Sequence, residues 1–146
     1  PGESEVPDFL KKAFAQGNRL QDILTEKFKA GTTGNRMLLD ALDQAKKEGI
    51  TGSIYSHPIG VHGHAAGPTI GMWDQQQGVK GPGDYPLFPN TAYSIELNAA
   101  VEVAEWKKII RIMLEEDGYY TTEGFRYLDG RQKEIFSIPR KLENVK

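Results

Sequence analysis

The spacing of apolar residues changes once along this chain, from a period near 3.6 to a period of 2, and that switch limits the folds open to it. In residues 1–50, Phe9, Leu10, Ala13, Phe14, Leu20, Ile23, Leu24 and Phe28 recur at helical spacing after a start at Pro7 and Asp8. Gly17 and Asn18 interrupt that face, and Gly31 closes it. Thr33 is placed to cap a second helix with Met37, Leu38, Ala41, Leu42 and Ala45 on its apolar face and Gly49 as its stop. The last third reads as short β-branched or aromatic segments: 92–97, 100–106, 109–114, 118–122, 125–128 and 134–138. Asp117–Gly118 and Asp129–Gly130 read as turns between them. Helices first and antiparallel strands after predict an α+β domain, two helices packed on a curved antiparallel sheet.

Between these halves, after a short strand at Ile54–Tyr55, lies a stretch of a different kind. Residues 65–91 hold five of the sixteen Gly and four of the eight Pro, with almost no periodicity. A loop of that length inside a compact domain is more often functional than not. The whole of 1–146 is expected to form one domain, with helices over about 8–48, this loop, and strands over about 92–139.

Composition removes several function classes. The 18 basic and 20 acidic residues give a formal charge of -2, with the basic residues scattered, which argues against a nucleic-acid partner. No run approaches the ~20 apolar residues of a membrane span. With no Cys, a thiolate metal site and a cysteine nucleophile are excluded, so any metal must be held by His, Asp and Glu. Residues 1–8 lack the pattern of a signal peptide, and the address of the protein is not legible from this end.

All three histidines fall within eight residues: His57, His62 and His64. Imidazole is both the commonest metal ligand and a proton carrier near neutrality. Further on, Glu96 sits on an apolar strand, facing with Ser94 away from Tyr93, Ile95 and Leu97, and Glu115 ends the strand 109–114. A carboxylate on an interior strand needs a partner or a cation, because burying it bare is costly. Read from the residues alone, the histidines could equally be exposed loop residues or a small zinc site with one carboxylate, and each glutamate a solvent-facing strand residue.

Taken in order, the set resembles the C-terminal part of the pita-bread metallopeptidases: methionine aminopeptidase, aminopeptidase P and prolidase. The resemblance runs from about 53 to 140, and its last glutamate stands nine residues before Gly124, as in that family. It implies half of a pita-bread (creatinase/aminopeptidase) fold. Ser56-His57-Pro58-Ile59-Gly60 matches the family's first histidine motif, which makes His57 a metal ligand. His64, seven residues on, takes the role of the histidine that binds substrate and stabilises the tetrahedral intermediate. Glu96 becomes a ligand that also shuttles protons, and Glu115 the ligand bridging two metals, with Glu116 as the neighbouring alternative. His62 has no counterpart.

The implied cofactors are two divalent ions (Mn, Co or Zn) in the intact enzyme, with one or none held by this chain alone. The implied substrates are short peptides, cleaved as by an Xaa-Pro aminopeptidase or dipeptidase through water attack on the carbonyl. Several positions depart from the family pattern. Ala65-Ala66-Gly67 follow His64, Leu97-Asn98 follow Glu96, Met113 stands where proline-specific members often carry Arg, with Arg111 two residues back, and Ser53 stands where they often carry another histidine. The family's two aspartate ligands have no counterpart in 1–50, where Asp8, Asp22, Asp40 and Asp43 all fall on helices. The chain is therefore expected to be the second half alone, catalytically weak or dead, and paired as a homodimer or with the missing N-terminal half. The alternative is a non-catalytic peptide- or protein-binding relative of the same fold.

Overall fold

The computed structural model describes residues 5–138. The ends of the expected 1–146 domain, and the last two residues of the 53–140 resemblance, lie outside them. Two helices come first, α1 (Asp8–Thr25) and α2 (Gly34–Lys47), followed by strands β1 (Thr51–Ile54), β2 (His57–Pro58), β3 (Thr91–Val103), β4 (Lys108–Thr121) and β5 (Gly124–Tyr127). The strands form one antiparallel sheet in the order β1-β3-β4-β5, with β2 beside β3 next to β1. The α+β class and the two helices stand as expected from the sequence.

Helix α2 begins where Thr33 Oγ1 accepts from the Arg36 N–H at 3.1 Å, and it ends before Gly49 in the left-handed region. Helix α1 stops at Thr25, six residues before Gly31. Gly17 does not interrupt it. A Cβ there would stand 2.6 Å from Ile112 Cγ2 and 3.0 Å from Leu114 Cδ1, so the glycine lets α1 lie close against β4. The core lies between the helices and one sheet face. Leu20, Ile23, Leu24, Met37, Leu38 and Ala41 meet Tyr93, Ile95, Leu97, Ala99 and Leu114, and Phe28 stacks edge-on to Tyr93 at 5.0 Å. The aspartates of the helices are paired elsewhere: Asp8 with Lys11, Asp40 with Arg36 and Asp43 with Lys47 within their own helices, and Asp22 with Arg131 from the segment after β5.

The strand half differs from the six-segment reading. Segments 92–97 and 100–103 are one strand, with 104–106 turned into a short 3-10 helix after it, and 109–114 and 118–121 are another strand. The pairing runs unbroken through Asn98, which lies between Ser53 and Met113 and whose Nδ2 donates to Ser53 Oγ at 2.6 Å. Asp117–Gly118 is not a turn. Both residues stay in the ladder, opposite Ser94 and Tyr93, and the Phe125 ring lies where a Gly118 side chain would be. Residues 134–138 form no strand.

The Gly- and Pro-rich stretch is packed against the body. Ile70, Val79 and Leu87 are buried, and residue 56 bridges residue 70. Asn35 of α2 accepts from the Val79 N–H and donates to Val79 O and Asp84 Oδ1. Gln76 places its amide along the outer edge of β1, accepting from the Ile54 N–H and donating to Ile54 O, each at 2.9 Å, and to Met72 O. Gly71 lies so close under Ile54 that a Cβ would sit 2.2 Å from its carbonyl oxygen, and its φ is +72°. Gly71→Ala is therefore expected to cost about 2 kcal/mol or more in urea unfolding, from left-handed strain plus the clash.

Candidate active site

The face of the sheet away from the helices carries every residue singled out in the sequence except His62 and Glu116. Alternation along β3 sends Ser94, Glu96 and Asn98 to this face while their neighbours enter the core. The register sets Glu96 directly opposite Glu115, and Met113 and Arg111 follow Glu115 on the same side of β4. Glu116 is turned to the other face, where its Oε1 accepts from the Gln132 N–H at 2.8 Å. Of the two neighbouring glutamates, Glu115 is the one beside Glu96.

Strand β2 pairs His57 with Ser94, which brings the imidazole alongside the glutamates. His57 is buried, and its Nδ1 lies 3.1 Å from Pro58 O. A carbonyl oxygen only accepts, so Nδ1 carries the proton and donates it there. Nε2 is thereby left facing Glu96 Oε2 at 3.9 Å. The His64 ring stacks on His57, centroids 3.9 Å apart and planes 16° from parallel, and its Nε2 is 3.4 Å from Tyr55 Oη. Ser94, itself buried, donates to Glu115 Oε1 at 2.9 Å. His62 is exposed and, among the described residues, makes no ring contact with the other two histidines.

The Glu96 carboxyl is raised from its ordinary value, first by burial and then by the charge of Glu115, while His57 and His64 pull it down. A ring nitrogen facing one of two opposed carboxylates is a place for a cation, either a proton or a metal ion. One imidazole and two carboxylates suit a divalent ion such as Mn, Co or Zn. The set is open, however: among the described residues no three His, Asp or Glu side chains are grouped closely enough to hold a metal. The donor chemistry fits, and the enclosure is incomplete. Beside these residues runs an open groove of about 750 Å³ lined by Tyr55, Trp73, Asn98, Arg111, Met113 and both glutamates, among others.

No protein-family model matches the chain, and no curated protein matches it at a significant level. Solved structures do. The X-Pro aminopeptidase of Thermotoga maritima superposes with a TM-score of 0.66 at 23% identity, over 92% of this chain and 35% of that one. The Xaa-Pro dipeptidase of Bacillus anthracis gives 0.63 at 24% identity, over 90% and 34%. A methionine aminopeptidase from Rickettsia prowazekii gives 0.60 at 15% identity, over 84% and 53%. The chain has half of the pita-bread fold. At these identities the likeness is one of fold, and the chain spans about a third of the length of the aminopeptidase and the dipeptidase.

In this pita-bread half-domain the four residues proposed from the sequence, His57, His64, Glu96 and Glu115, stand together on one face. Three further participants carried weaker signals. Ser94 sits two residues before Glu96 and so shares its face. Tyr55 sits two before His57 in the same manner, and it reaches His64. Trp73 lines the groove because Gln76 and Gly71 fasten its loop to β1, a placement no spacing rule reports. Since Glu115 raises the Glu96 carboxyl, Glu115→Gln is expected to lower the Glu96 midpoint in a carboxyl ¹³C NMR titration of the ion-free chain. An unmoved midpoint would mean that the two carboxylates do not sense each other.

Proposed function

We propose that this chain is the C-terminal part of a metal-dependent peptidase acting on short peptides, in the manner of an Xaa-Pro aminopeptidase or dipeptidase. The observation that carries the reading is the Nε2 of His57 facing Glu96, with Glu115 opposite on the next strand. The proposal also draws on the likeness of fold to an X-Pro aminopeptidase, an Xaa-Pro dipeptidase and a methionine aminopeptidase.

His57, Glu96 and Glu115 would hold the metal, and the remaining ligands would come from a segment beyond those described. When bound, a pair of divalent ions supplies an activated water and polarises the scissile carbonyl. The residues of this chain do the rest. Glu96, on the groove face directly opposite Glu115, is the carboxylate placed to take a proton from the attacking water and return it to the leaving amine. His64, exposed and steadied by its stack on His57 and by Tyr55, is placed to donate a hydrogen bond where negative charge develops on the carbonyl oxygen. Ser94 orients Glu115.

The incomplete ligand set favours one competing reading, a non-catalytic relative that binds peptides. Metal content separates the readings. Dialysed against trace Mn, Co and Zn, the chain is expected to retain less than about one weakly held ion by elemental mass spectrometry, lost in Glu115→Gln. One tight zinc that survives Glu115→Gln would instead assign the metal to the histidines alone. Joined to an N-terminal half that supplies the two aspartates, the chain is expected to hydrolyse peptides, and binding without hydrolysis would favour the non-catalytic relative.

The same reading bears on assembly. Strand β5 pairs only with residues 118–121 of β4, so among the described residues the rest of that edge, 108–117, has no neighbouring strand. An open edge invites pairing with a second copy or with the N-terminal half. Light scattering at high concentration is expected to show a dimer of the isolated chain, and a clean monomer would reject the second copy.

A further inference from the structure

The groove beside the glutamates is electrically two-ended. Among the described residues that line it, Arg111 is the sole cation, and it has no ion pair with any of them. It stands four residues before Glu115 on the same face of β4, about 14 Å away at the ~3.4 Å rise of an antiparallel strand. Its partner across the ladder is Ala100, whose methyl leaves the guanidinium uncrowded. Met113, 70% exposed, stands between the two ends, and Trp73, 77% exposed, lines the same groove, both unusually bare for apolar groups of that size. The Trp73 loop is fastened by Gln76 and Gly71, so this wall is set before anything binds.

Resting on the peptidase reading, we propose that Arg111 is a specificity-determining residue that binds the C-terminal carboxylate of a short peptide lying along β4. The reacting end of that peptide would be at Glu96 and Glu115, with its side chains against Trp73 and Met113. Carboxylates at one end and a guanidinium at the other suit a ligand that carries its negative charge away from the reacting bond. The separation corresponds to about three or four extended residues, so the groove measures peptides of that length.

The test needs binding, not turnover. In a Trp106→Phe background, which leaves Trp73 as the only tryptophan, the peptide Ala-Pro-Ala is titrated by fluorescence as the free acid and as the C-terminal amide. The free acid is expected to bind about fivefold tighter, as suits one solvent-edged ion pair. Arg111→Met should abolish that preference, and Arg111→Lys should keep part of it. Equal binding of acid and amide would overturn the role of Arg111 and leave the peptidase reading standing. If neither peptide perturbs Trp73, the groove is not a peptide site, and the peptidase reading falls with the proposal.

Discussion

The ladder between β3 and β4 is the constraint on which both halves of the molecule depend. Its thirteen pairs run from Thr91 opposite Tyr120 to Val103 opposite Lys108. The same alternation that drives Tyr93, Ile95, Leu97 and Ala99 into the helices lifts Ser94, Glu96 and Asn98 to the groove. A slip of one residue would set Glu96 against Leu114 or Glu116 and trade the contents of the two faces. Burying the apolar row thus holds the glutamates in register, so the stability of the core and the geometry of the site rest on a single pairing.

The helical half was legible because its signals are local. A cap at Thr33, a stop at Gly49 and apolar residues at helical spacing each act within a few residues. The strand half was legible in kind and misread in length. Gly118 carries a turn residue's identity for a packing reason, to let the Phe125 ring lie across the strand, and nothing near it in sequence distinguishes the two uses. The same holds for Gly17, which breaks a helical pattern on paper and in space admits β4 against α1.

The site was legible to a similar depth. Glu96 and Glu115 stand out because charged groups interrupt apolar strands, and histidines clustered within eight residues call for an account. What spacing cannot express is contact across the fold. The stack of His64 on His57, the orientation of Ser94 toward Glu115 and the placement of Trp73 all depend on segments far apart in sequence. The Gly- and Pro-rich stretch, without any period to read, turned out to be fastened by two amides, Asn35 and Gln76.

The Gln76 amide has a consequence for the chemical ageing of the protein. It seals the outer edge of β1 with one acceptor and one donor, and the donor serves two carbonyls, Ile54 O and Met72 O. Deamidation would exchange that NH₂ for an oxygen and set a negative charge against two carbonyl oxygens. The loop would be pushed off the strand, and Trp73 would leave the groove with it. A single hydrolytic event at a residue outside the candidate site would thus remove one wall of that site while leaving His57 and the glutamates where they are.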